Sequence, residues 1–202
     1  MSLRPSRTPS VARTALAALA LVALSMLSAC GSDSAAPVAS PRTTMPYAVV
    51  QPASLVRGAA VPAPTGPTVL TVTGKVAGGK PVTFDMATLE KLGLVEYSVM
   101  DKQAEGRRVT FRGVLLSDVL ATVGASSATS LHTVALNDYA VDIPVSDTRT
   151  YPVLLATTVD GKRMSVEKYG PVRVVYPTDG ATLDPAVYDP RWIWQLTTVE
   201  VR

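Results

Sequence analysis

From residue 68 onward the chain is written mostly in short runs that alternate apolar and polar residues with a period of two. Val69-Leu70-Thr71-Val72-Thr73 is β-branched and predicts a strand. Similar runs predict strands over 82–84, 95–100, 108–111, 131–136, 140–143, 153–159, 172–176 and 192–201. Two segments follow a helical period instead. Asp85 is placed to cap a helix over 86–92, with Phe84 and Leu89 as a hydrophobic staple and Gly93 as the stop. A second helix, over 115–123, puts Leu116, Val119, Leu120 and Val123 on one face and ends at Gly124. Asp160-Gly161 is a hairpin turn. Many strands with two short helices predict an α+β domain, mainly β, of mixed sheets.

The texture before residue 68 is different. Residues 31–67 hold seven prolines, many Ala, Ser and Thr residues, and three charges, Asp33, Arg42 and Arg57. No apolar period persists, so the segment predicts an extended, semi-rigid tether. The alternative for its 47–50 stretch is an arm packed on the domain. Residues 1–29 carry Arg4, Arg7 and Arg13, then an apolar run short for a membrane span and rich in small residues at its end. That is the pattern of an export signal. Leu27-Ser28-Ala29-Cys30 resembles the lipobox of bacterial lipoproteins. The resemblance implies cleavage before Cys30 and acylation of its thiol and new amino group, a stable membrane anchor. Gly31 after the cysteine, rather than an aspartate, points to the outer membrane, with the domain facing the periplasm. The expected organisation is a signal at 1–29, a lipidated Cys30 and tether at 30–67, and one domain at 68–202.

Charge changes the picture in one respect. The 202 residues carry 19 Lys and Arg against 16 Asp and Glu. Arg4, Arg7 and Arg13 account for the excess, so the exported part is formally neutral. Nucleic-acid binding, which needs a basic patch or stripe, is not expected. A single cysteine excludes a disulfide scaffold. The one histidine, His132, falls in a strand-like run, and neither a nucleophile elbow nor a phosphate-binding glycine loop accompanies it. Asp138, Asp142 and Asp147 lie close in sequence. Asp138 and Asp142 would share a face of a strand, but solvated loop aspartates are the expectation for all three.

Four motifs occur in a fixed order: Phe111-Arg112-Gly113-Val114, Leu136-Asn137-Asp138-Tyr139, Tyr169-Gly170-Pro171-Val172-Arg173, and Arg191-Trp192-Ile193-Trp194-Gln195-Leu196. Together they resemble the molybdopterin-binding domain of the sulfite-oxidase-like oxidoreductases. The resemblance implies that family's mixed α+β fold over roughly residues 68–202. In its enzymes a pterin dithiolene and a protein cysteine hold molybdenum. Here the corresponding stretch, 95–108, has no cysteine, and Ser98 offers an oxygen in its place. Tyr169 stands where the family carries histidine. These departures imply a small exported branch of the family without catalysis and with no cofactor. Molybdopterin, and a sulfite-oxidase-type oxidoreductase working without a cysteine ligand, is the alternative.

The groove inherited from the cofactor site would then serve a periplasmic small ligand or a protein partner. Asn137, Asp138 and Tyr139 offer donors, an acceptor and a stacking face. Arg173 is suited to grip a carboxylate or phosphate, or to pair with Asp138 or Asp142. Tyr176 lies beside it. Arg191, Trp192 and Trp194 would form an aromatic and cationic edge, unless the two tryptophans pack on one face of the final strand.

Overall fold

A computed structural model describes residues 47–179 and 181–202, all within one unit spanning Thr43–Arg202. The expected export signal, Cys30 and the expected tether as far as residue 46 lie outside the described residues. The architecture is an α+β arrangement of two sheets with short helices. Strands β1 (Ala48–Gln51), β4 (Leu94–Asp101), β5 (Arg107–Leu115), β8 (Leu154–Val159) and β10 (Arg173–Val175) form sheet A in the order β1-β4-β5-β8-β10. The two-residue β9 (Lys162–Arg163) pairs with β8. Strands β2 (Thr68–Gly74), β3 (Val82–Asp85), β6 (Ser130–Ala135), β7 (Ala140–Pro144) and β11 (Leu196–Val201) form sheet B in the order β3-β2-β11-β6-β7. Only the β2–β11 pair in this sheet is parallel.

Local chemistry explains the elements that the pattern predicts. Helix α1 (Met86–Glu90) begins where Asp85 accepts the Thr88 N–H at 2.7 Å. Phe84 and Leu89 both lie in the core. Helix α2 (Leu116–Thr122) buries Leu116, Val119 and Leu120, the face its period marks. Asp160 and Gly161 both have positive φ, 46° and 76°, as a two-residue hairpin turn requires. Two short helices were not expected: α3 (Val145–Thr150) and α4 (Pro185–Tyr188). Each is too short to show an apolar period. The strand expected over 192–201 begins only at Leu196, because Gln195 turns the chain with φ 51°.

Strand β1 belongs to the stretch read as tether or arm. It pairs antiparallel with β4, Ala48 opposite Glu96 and Val49 opposite Val95, while all four of its residues stay exposed.

Sheet A is apolar on both faces where β8 and β10 cross it. Leu155 and Val174 join the main core with Leu70, Leu131 and Val199 of sheet B. Leu154, Ala156 and Val175, one residue out of step, join a second cluster with Tyr97, Val99, Val109, Phe111 and Met164. That second cluster carries the candidate site.

Candidate functional site

Arg173 starts β10 on the same face as Val175, so strand alternation aims it into the second cluster. A charge cannot sit there unpaired. Asp101, at the end of β4, supplies the partner. Its two oxygens accept from Arg173 Nη1 and Nη2 at 2.9 and 2.8 Å, in a bidentate fork. Gln103 Oε1 accepts a further bond from Nη2 at 2.9 Å. The guanidinium also lies 5.1 Å from the Phe111 ring centre, 5.2 Å from Trp192 and 5.7 Å from Tyr169. The side chains of Arg173 and Asp101 are only 2% and 4% exposed. Arg173 Nε is buried with no acceptor among the described residues.

The partner is therefore not Asp138 or Asp142. Asp138 sits in the β6–β7 turn with φ 62°, and Asp142 lies 2.7 Å from His132 Nδ1 on sheet B. Asp147 departs from expectation as well. It is buried in α3, where its Oδ2 accepts from Tyr176 Oη and Arg191 Nη1, both at 2.8 Å. Burial, and then the Asp147 carboxylate, push the Tyr176 phenol far above its usual range. Tyr176 and Arg191 thus form a structural knot, with the Tyr188 ring 5.0 Å under the Arg191 guanidinium.

Three clefts open around this centre. One, of about 360 Å³, lies over the second cluster and is lined by Asp101, Phe111, Tyr169 and Arg173, with Arg107 and Lys168 at its rim. A second, of about 290 Å³, is lined by Asn137, Tyr139, Asp189, Trp192, Trp194 and Gln195. A third, of about 180 Å³, shares Trp192 and Asp189 with the second and Gln103 with the first. The residues 192–195 form a loop rather than a strand, which is why the indoles do not pack on one sheet face. Ile193 is buried, Trp192 is half-buried against Arg173, and Trp194 is exposed beside Tyr169. Of the residues singled out in the sequence, Asn137, Tyr139, Trp192 and Trp194 share one cleft and Arg173 the adjoining one. Asp138, Tyr176 and Arg191 line none of the three. Asp101 and Gln103 were missed. An arginine in an apolar strand signals that a partner exists, but nothing local says which carboxylate.

The sequence profile of the oxidoreductase molybdopterin-binding domain family matches residues 60–198. The chain belongs to that family. No curated protein matches it closely enough to stand as a relative.

The protein thiolate that a molybdenum–pterin group uses is not among the described residues. Such a metal calls for soft sulfur donors. The chain's single cysteine is Cys30, in the lipobox-like segment. Among the described residues no three His, Cys, Asp or Glu side chains come together to hold a metal ion. Ser98, the oxygen considered in the thiolate's place, lies on the other face of β4. It alternates with Tyr97 and Val99, so it faces away from the second cluster, and its Oγ lies 2.8 Å from Thr110 Oγ1. A pterin phosphate would need free cations, and most of those nearby are committed to carboxylates. Arg173 pairs with Asp101, Arg107 with Asp160, Arg108 with Asp179, Lys102 with Asp189 and Arg191 with Asp147. Among the cations lining the Arg173 cleft, Lys168 alone has no carboxylate partner among the described residues.

Proposed function

We propose that this molybdopterin-binding-type domain is a non-catalytic binding module, exported and held to a bacterial membrane by lipid on Cys30. It holds a small ligand in the cleft between the β6–β7 turn and the 192–195 loop. The observation that carries this reading is the Arg173–Asp101 fork. The cation best placed to receive an anionic cofactor is already neutralised by the chain's own carboxylate. The open cleft beside it keeps two exposed aromatic rings, Tyr139 and Trp194, for contact with a ligand. The tether sets the domain off the membrane, on the periplasmic face of the outer membrane in this reading. A protein partner is an alternative occupant of the same surface.

Family membership favours one second reading, a molybdopterin-dependent oxidoreductase that works without a cysteine ligand. The two readings separate in one experiment. The full chain is expressed for export in a host that makes the molybdenum cofactor. Molybdenum is measured by elemental mass spectrometry and pterin by release and fluorescence, on the same folded sample. The binding-module reading expects neither. Near-stoichiometric metal and pterin overturn it in favour of the enzyme.

A further inference from the structure

The ligand class of the Trp192 cleft follows from its charge and its unused hydrogen-bonding groups. Asp189, the one charged residue that lines the cleft, pairs its Oδ2 with Lys102 at the surface. No cation lines the cleft, which disfavours an anionic ligand. A cationic ligand is disfavoured for a different reason. Trp192, one of the rings that line the cleft, already has the Arg173 guanidinium 5.2 Å from its centroid. A second cation would have to share that π-system with Arg173.

The remaining polar groups alternate between donors and acceptors. Asn137 Oδ1 accepts the Tyr139 N–H at 3.2 Å, leaving its amide N–H groups to donate. Gln195 donates Nε2 to Val166 O at 2.7 Å, leaving Oε1 to accept. Tyr139 donates its hydroxyl to Pro190 O at 3.0 Å, leaving oxygen lone pairs outward. Neither indole N–H has a protein acceptor among the described residues. The aromatic faces are available too, since Tyr139 is 45% and Trp194 38% exposed.

Uncharged groups that both donate and accept, arranged around an apolar face, are the chemistry of a sugar ring. Its C–H face stacks on an aromatic ring, and each hydroxyl is at once donor and acceptor. We infer that the Trp192 cleft binds a neutral pyranose unit, stacked on Trp194 or Tyr139 and held by Asn137 and Gln195. At about 290 Å³ the cleft sits near the small end of ligand sites, room for one ring rather than an extended chain. This rests on the binding-module reading above and gives it a ligand class.

Trp192 and Trp194 are the only tryptophans in the chain, both line this cleft, and Trp194 lines no other of the three, so indole emission is a probe of it. The full chain is titrated in detergent with maltotriose and with triacetylchitotriose, and separately with nicotinamide, choline and inorganic phosphate. The expected result is a saturable emission change with a neutral sugar and none with choline or phosphate. Trp194→Ala and, independently, Asn137→Ala should each weaken sugar binding, the first about tenfold, in protein that still melts in one cooperative transition. Sugar binding indifferent to both variants places it elsewhere and overturns the inference. A response to nicotinamide, choline or phosphate without one to sugar overturns it too, yet leaves a small-ligand module standing. No response to any probe overturns it as well. Bound molybdenum and pterin, read in the separate assay above, would instead remove the underlying reading.

Discussion

The Arg173–Asp101 pair makes a quantitative prediction. Replacing Asp101 by Asn keeps the shape and removes the charge. Both side chains are almost wholly buried, so the arginine cannot swing out to water without opening the second cluster. Breaking one partner of such a pair costs about 3–5 kcal/mol, most of it the penalty of the stranded charge. Two features soften the loss. Gln103 Oε1 remains 2.9 Å from Nη2, and three aromatic rings remain within 5.7 Å of the guanidinium. Each such ring is worth about 0.5–2 kcal/mol to a desolvated cation. The expectation therefore falls at the low end, about 3 kcal/mol. With a urea slope of about 2 kcal/mol per molar, the midpoint should fall by about 1.5 M. Tryptophan emission and circular dichroism would follow the same transition, and their coincidence would license a single free energy. Asp101→Asn combined with Arg173→Met should recover most of the loss, because an apolar replacement of the whole pair leaves no unpaired charge. A midpoint shift below about 0.5 M would mean that the pair behaves like a surface ion pair and would refute the burial argument.

Three further outcomes follow from other parts of the fold. A Cβ on Gly113 would sit 2.0 Å from Leu155 O and 2.7 Å from Ala156 Cα, backbone that cannot give way. Gly113→Ala should cost about 3 kcal/mol or more in chemical denaturation, whereas Gly78→Ala, at φ 73° in open space, should cost only backbone strain of about 1–2 kcal/mol. Tyr176→Phe removes the 2.8 Å bond to Asp147 and should lower stability by about 1.5–3 kcal/mol in the same assay. Hydrogen bonds from Thr88, and then from the Thr65 and Gly66 N–H groups, hold the Asp85 carboxyl well below the usual range. Its folded pKa is below its unfolded one, so its contribution is present above the unfolded value of about 3.9 and is lost as pH falls below it. Asp85→Asn should thus flatten the loss of stability between about pH 5 and pH 3, and an unchanged slope would remove Asp85 as its source.

What was legible in the sequence was local. Helix α1 announces itself through Asp85, Phe84 and Leu89, all within one turn of its start. The Asp160-Gly161 turn needs nothing beyond its own two residues. The mixed α+β fold is legible because most strands carry their own alternation, while β8 and β10 stand out as short β-branched or apolar runs buried on both faces. The site was legible only in part. Asn137, Tyr139, Trp192 and Trp194 could be singled out, but their common cleft depends on the 192–195 loop, and Gln195 gives no sign in sequence that it will adopt φ 51°. Asp101 lies 72 residues from Arg173, and any of several carboxylates would have met the same electrostatic need. Asp147 reads as a solvated aspartate because its spacing from Asp138 and Asp142 says nothing about what covers it. Its burial comes from Tyr176 and Arg191, which reach it across 29 and 44 residues.

The position of β11 has a consequence for when the domain can assemble. Sheet B consists of two antiparallel hairpins, β2–β3 and β6–β7, which touch only through β11. Until residue 201 has been made, those hairpins have no shared sheet, and a lone hairpin is marginal in water. The parallel β2–β11 register, Thr71 opposite Thr198, spans most of the domain and closes last. A nascent chain emerging from the ribosome would therefore stay loose until its synthesis passes this point. If the protein is exported as proposed above, its precursor gains from that delay in the export channel, since the sheet it would otherwise have to unfold does not yet exist.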